Sequence, residues 1–247
     1  MSFCLILSFL FFIGSLTGWI IELVFRRVIT LKNPGSKWVN PGFCTGPYLP
    51  IYGFGLCVLY IIASFEKYSF TGNTVADKII LFIIMAICMT AIEYIAGIVC
   101  LRFMNVRLWD YSNHRWNVQG IICPAYSAIW AMLGAIYYFL IHPHILDALM
   151  WLSENLAFSF VIGFFFGIFV IDVINSAQIV VKLRRYAQEN NVIIKYEVIK
   201  NHIRTAYENS RKKYRFFRPF RTWRPLGEHL RELHNMFEDN RKTKTKR

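Results

Sequence analysis

Five stretches of this chain are each apolar for about twenty residues, the length a helix needs to cross a hydrocarbon core of about 30 Å. They run 3–25, 46–65, 79–101, 119–141 and 156–181. In hydrocarbon every backbone polar group has to be satisfied internally, so only helices and closed barrels span. Unbroken apolar runs, without period-two alternation, select helices. The expected fold is all-α: a polytopic membrane protein of about five transmembrane helices with a basic helical tail. Only 17% of the 247 residues are charged, against about 25% in a soluble chain. That deficit lies before residue 182, where 9 of the 28 Lys/Arg occur. Residues 1–181 therefore read as the membrane domain and 182–247 as the tail. Span 46–65 is the weakest, because Pro47, Pro50, Gly53 and Gly55 crowd its first half.

Charge sets the orientation. Loop 26–45 carries Arg26, Arg27, Lys32 and Lys37, and loop 102–118 carries Arg102, Arg107 and Arg115. Loop 66–78 carries only Lys67 and Lys78, and loop 142–155 has no Lys or Arg. The positive-inside rule puts the two basic loops and the tail in the cytoplasm and the N-terminus outside. The first run lacks a charged leader and a small-residue cleavage pattern, so it reads as a retained span. The six cysteines stand singly, with no Cys-x-x-Cys. Neither a disulfide framework nor a metal site is expected from that spacing.

Three acids interrupt the apolar runs: Glu22, Glu93 and Asp172. A carboxylate there costs about 2.5–3.5 kcal/mol on insertion scales, so it pairs or lines a polar path. Glu22 stands four residues before Arg26, the spacing of a local ion pair near the interface. Glu93 lies about 13 Å from Arg102 along a helix, and Asp172 about 15 Å from Lys182. These two are the deep pair, with Tyr52, Asn175 or Ser176 as possible donors and Asn175 and Gln178 extending a polar stripe. Burial favours their neutral, protonated form. The candidate polar path is thus Glu22, Glu93, Asp172 and Asn175.

Two hairpins, 10–65 and 85–141, share an order of residues. Glu22 is followed by Trp38, Asn40, Gly42, Cys44 and Pro47. Glu93 is followed by Trp116, Asn117, Gly120, Cys123 and Pro124. The gaps differ, so a parallel duplication and chance both remain open. Segment 40–55 resists regular helix through its Gly and Pro residues. It fits either a re-entrant element buried in protein or a helix that starts at proline.

The blocks Gly18-Trp19, Asn40-Pro41-Gly42-Phe43, Gly46-Pro47 and Pro50-Ile51-Tyr52-Gly53-Phe54-Gly55 come first. Glu93-Tyr94, Trp109-Asp110-Tyr111-Ser112, Asn117, Gly120, Cys123 and Trp130 follow in order. Together they resemble the ABC-transporter type IV family, the CmpB-like permeases of Gram-positive bacteria, over roughly residues 10–140. Asp172 lies beyond that stretch. Ile121 stands where members often carry a polar or basic residue. The resemblance implies a multi-pass protein of the bacterial plasma membrane with permease character. It also implies a cytoplasmic ATPase partner, for which loops 26–45 and 102–118 are the available docking segments. Trp109 and Tyr111 are alternatively interfacial anchors, with Asp110 capping a turn.

In the tail, Val192, Ile193, Val198, Ile199, Ile203 and Tyr207 recur at helical spacing, giving an amphipathic helix over 186–215. Arg211, Lys212, Lys213, Arg215, Arg218, Arg221 and Arg224 interleave with aromatics. Tethered at a leaflet, this run suits anionic lipid head groups, at roughly 1 kcal/mol per basic residue, better than nucleic acid. His229 and His234 flank Glu232 without the His-Glu-x-x-His order, so no zinc site is expected. No P-loop and no serine nucleophile elbow occur, so the chain supplies no ATPase of that class and no cofactor is called for. The reading is a permease subunit energised by a separate ATPase or an ion gradient. An intramembrane enzyme acting on a lipid or isoprenoid, and a scaffold working through its tail, are the alternatives.

Overall fold

The computed structural model describes residues 2–28, 38, 40–68, 71–190, 192–209, 220, 222 and 224–245, with 208–209 and 238–245 by backbone alone. The helices are α1 (Phe3–Val28), α2 (Pro50–Ala63), α3 (Thr74–Met104), α4 (Pro124–Ile136), α5 (His142–Glu154), α6 (Ser159–Glu189), α7 (Tyr196–Asn209) and α8 (Leu226–Thr245). Among the described residues there are also two short strands, β1 (Val106–Arg107) and β2 (Ile194–Lys195). Among the described residues five helical stretches are long and apolar enough to cross a membrane: Phe3–Val28, Pro50–Lys67, Thr74–Met104, Pro124–Glu154 and Leu156–Glu189. The protein is a multi-pass membrane protein of nearly all-α structure.

Two boundaries depart from expectation. The second span starts at Pro50 rather than 46, and residues 40–49 are irregular. Proline fits a first helical turn, where its missing N–H costs nothing. The stretch 142–155, expected as a loop, is helical as α5. Pro143 again falls in a first turn, so it does not break the chain's course. Residues Ile145, Leu149 and Leu152 recur at four and three and are buried, the stripe of an amphipathic helix. A π-helical turn, Tyr137–Ile141, joins α4 to α5, and the Tyr137 hydroxyl meets His142 Nδ1 at 2.9 Å across it.

The chain forms two compact units, and both α3 and α6 contribute to each. The first comprises 1–96 and 111–173. Its core is built on Leu10, Leu81, Met85, Trp130, Tyr137 and Leu152. A second apolar cluster gathers Phe11, Cys44, Tyr48 and Phe165, with Phe169 against it. Between helices in lipid there is little hydrophobic gain, so close backbone approach through small residues does the joining. Here Gly14, Gly18 and Gly53 let α1 and α2 touch. A Cβ on Gly14 would stand 2.9 Å from Leu56 Cβ, and one on Gly53 would stand 2.8 Å from the Phe11 carbonyl oxygen. A Cβ on Gly18 would overlap the side chain of Tyr52.

The second unit comprises 97–110 and 174–247, so the expected boundary at 181/182 falls inside α6. β1 and β2 pair in parallel, with Val106 opposite Ile194. The tail helix expected over 186–215 is therefore interrupted. The chain leaves α6 at Glu189, and the Ile194 N–H bonds the Asn105 carbonyl at 3.1 Å. The exchange satisfies backbone groups and buries Val106 and Ile194. α7 then buries Ile199, Ile203 and Tyr207 at the expected spacing, while Ile193 is exposed.

Gly18→Ala and Gly53→Ala are expected to lose about 1–3 kcal/mol by overpacking the α1–α2 contact. Gly163→Ala and Gly167→Ala, where a Cβ meets nothing within 4 Å, gain up to about 1 kcal/mol from helix propensity. Thermal unfolding in detergent separates the two pairs; equal behaviour of all four contradicts the packing.

Candidate functional site

The acids fall into two clusters inside the first unit. Glu22 makes the local pair its spacing predicts: Arg26 Nε donates to Oε1 at 2.9 Å. The Tyr52 hydroxyl donates to Oε2 at 3.1 Å. The Tyr52 ring packs on Trp130, centroids 5.1 Å apart, and Trp130 lies close to Glu93. Glu93 is 3% exposed. Its Oε1 accepts from the Tyr111 hydroxyl at 3.1 Å. Its Oε2 is buried and makes no hydrogen bond of good geometry among the described residues, with Trp130 as the nearby donor. Glu22 is near enough to act on Glu93 electrostatically. The two acids of the paired hairpins therefore belong together, linked through Tyr52 and Trp130.

Tyr111 comes from the loop after α3. Its ring stacks on Tyr126 at 4.1 Å, nearly parallel, with His114 edge-on to both. Burial first, then the charge of Glu93, holds the phenol well above its ordinary pKa. It therefore stays protonated and remains a donor.

Asp172 forms the other cluster, with segment 40–49. Oδ1 accepts from the Thr45 N–H at 3.3 Å and from the Thr45 hydroxyl. Oδ2 accepts from the Gly46 N–H at 2.8 Å and from the Tyr48 hydroxyl. Rings surround this cradle: Tyr48 packs edge-on against Phe165 and Phe169 at 5.7 and 5.3 Å. Donors converging on both oxygens suit an ionised carboxylate, not the neutral acid that burial alone suggests. Of the donors expected, Tyr52 serves Glu22 and Asn175 is exposed. Asp172 ties an irregular stretch of chain to α6.

The family model described as Putative ABC-transporter type IV matches residues 9–177. The chain belongs to this family. The match runs well past residue 140 and takes in Asp172, correcting the narrower expectation. No curated protein and no solved structure matches the chain.

The blocks that carry likeness to the ABC-transporter type IV family have structural work to do. Asn40 is buried; its Oδ1 accepts from Trp19 Nε1 at 2.9 Å and from the Gly42 N–H at 3.3 Å. Its amide donates to the Cys44 and Thr45 carbonyls at 3.3 and 3.4 Å, which shapes the cradle for Asp172. Gly46 leaves room for the Tyr48 ring folded over it. Pro47 lies within the irregular stretch, and the helix opener matching Pro124 is Pro50. Trp38 receives the Arg27 guanidinium at 4.0 Å from its ring centre.

Asn117 does a similar job in the second loop. It accepts from the Gly120 N–H at 2.9 Å and donates to the His114 and Ser112 carbonyls at 2.8 and 3.3 Å. Gly120 takes φ +68°, a conformation that favours glycine, and its carbonyl accepts the Tyr111 N–H at 2.9 Å. Ile121, the departure from the family pattern, is buried, which suits an apolar side chain. Tyr111 thus turns inward to Glu93 instead of anchoring an interface. Asp110 pairs with Arg107 and Lys195 at 2.8 and 2.6 Å. Its neighbour Trp109 is half-buried. Of the basic run, Arg211, Lys212, Lys213, Arg215, Arg218 and Arg221 lie outside the described residues. Arg224 pairs with Glu232 at 3.2 Å.

The two clusters predict opposite responses to neutralisation. In Asp172→Asn, either amide orientation sets an NH2 against a backbone N–H of Thr45 or Gly46, neither of which can turn. The expected loss is about 2–3 kcal/mol. Glu93→Gln keeps the acceptor for Tyr111 and should cost less than about 1 kcal/mol. Chemical or thermal unfolding in detergent checks the order; a greater loss in the Glu93 variant reverses the assignment.

Proposed function

We propose that this chain is the membrane-spanning permease subunit of a transporter energised by a separate ATP-hydrolysing chain, and that Glu93 is its working carboxyl. The observation that carries the proposal is the buried Oε2 of Glu93, which has Trp130 nearby but makes no well-formed hydrogen bond, within a span of an ABC-transporter type IV family member. An ionisable group kept at such a depth marks a path or a site for a cation or donor group. Glu22, Tyr52, Tyr111 and Trp130 line the same site, and Arg26 limits its net charge. Asp172, held by its cradle, has a positioning role: it fixes segment 45–48 against α6. Loops 26–45 and 102–118 face the cytoplasm in this reading, on the strength of their basic residues, and dock the ATPase.

The test starts from crosslinked native membranes, with mass identification of the partners. An ATP-binding chain is expected, joined through Lys32 or Lys37. Partners found only through Lys67 or Lys78 would invert the orientation, and recovery without any ATP-binding chain would contradict the subunit role. In the purified complex, Glu93→Gln should lower substrate-coupled ATP hydrolysis by about tenfold or more, the scale of a lost functional ionisable group, at unchanged accumulation. Full coupling in that variant would remove Glu93 from the mechanism.

A further inference from the structure

His202 on α7 and His229 and Glu232 on α8 bring their ligand atoms within 4.8 Å of one another. His229 and Glu232 are three residues apart, so one helix presents both on one face. His202 is 27 residues earlier in the chain than His229, which is why the sequence around His229 and His234 does not reveal the group. His202 Nε2 stands 3.2 Å from Glu232 Oε2. A tetrahedral ion with metal–ligand bonds of 2.0–2.1 Å separates its ligands by about 3.3–3.4 Å. The spacing of this pair already fits one edge of such a tetrahedron.

The independent sign is His229. It is completely buried, and neither ring nitrogen has a hydrogen-bond partner among the described residues. A buried imidazole without partners leaves hydrogen bonds unmade, at a cost in stability. A ligand supplied from outside the chain would remove that cost. The His202 and His229 rings meet edge-on, centres 5.5 Å apart, a contact that leaves both His229 nitrogens without a hydrogen bond. Arg224 Nη1 holds Glu232 Oε1 at 3.2 Å, leaving Oε2 to the metal and acting as the outer partner that orients a ligating carboxylate.

We propose that His202, His229 and Glu232, brought together where α7 meets α8, bind a divalent first-row transition-metal ion, with a fourth position open to water. Two imidazoles and a carboxylate suit zinc and its neighbours rather than magnesium or calcium. The proposed site departs from the expectation of no zinc site around His229 and His234. It is independent of the permease reading.

The test uses the full chain in detergent, without a histidine tag, stripped with chelator, equilibrated with zinc and washed. Elemental analysis should find about one zinc per chain, as for a single protein site. His229→Ala should abolish retention. Because that substitution opens a cavity, His202→Gln and Glu232→Gln, which lie nearer the surface, are measured beside it. Each should weaken zinc binding by about tenfold or more, while His234→Ala leaves it unchanged. Cobalt loading should give a visible absorption band that disappears in the same variants. Zinc retained equally by the three ligand variants, or no zinc retained by the unaltered chain, overturns the proposal.

Discussion

A charged oxygen within an apolar bundle has to be met by donors from the protein itself, because water is not there to do so. Asp172 meets that requirement with backbone and side-chain donors of residues 45–48. Much of the surrounding architecture follows. Within the irregular 40–49 stretch the Thr45 and Gly46 N–H groups point at a carboxylate instead of continuing a helix. Asn40 shapes it from within, and Trp19 fastens Asn40 to α1. α2 can then begin at Pro50, close enough to α1 for Gly14, Gly18 and Gly53 to touch the partner helix.

Glu93 is solved differently, and the contrast gives the two acids different parts. One oxygen is served by Tyr111; the other is buried with only Trp130 near it and no well-formed hydrogen bond. A fold selected for stability alone gains nothing from such an oxygen, since an unmade hydrogen bond in the interior costs free energy. Tyr111 is in turn fixed by stacking on Tyr126 and by the turn that Asn117 and Gly120 close. A loop is therefore organised around one carboxyl group, the arrangement expected of a site rather than of a scaffold.

Legibility in the sequence followed the range of the interactions. The spans were visible because length and apolarity are local properties, and the Glu22–Arg26 pair because i,i+4 neighbours meet on any helix. The family likeness was visible in short blocks, although its reach to Asp172 was not. The partner of Asp172 was hidden: Thr45 is 127 residues away, and its contribution is partly a backbone N–H that no side-chain pattern announces. The grouping of Glu22 with Glu93 depends on Tyr52, expected as a donor to the deep acids, and on Trp130, which the sequence marked only as part of the family likeness. The close α1–α2 contact did have a signal, Gly14 and Gly18 four apart. The break in the tail helix did not, because β2 forms only against β1, nearly ninety residues earlier.

The division of labour between the deep acids is the central claim, and a hydrophobic carbodiimide tests it most directly. The reagent partitions into membranes and modifies carboxyl groups that are buried, protonated and not committed to donors. Peptide mass mapping after treatment of the protein in its native membrane should find the adduct on Glu93. Asp172 should be spared within its cradle, and Glu22 by its pairing with Arg26. Modification of Asp172 with Glu93 untouched would contradict the account.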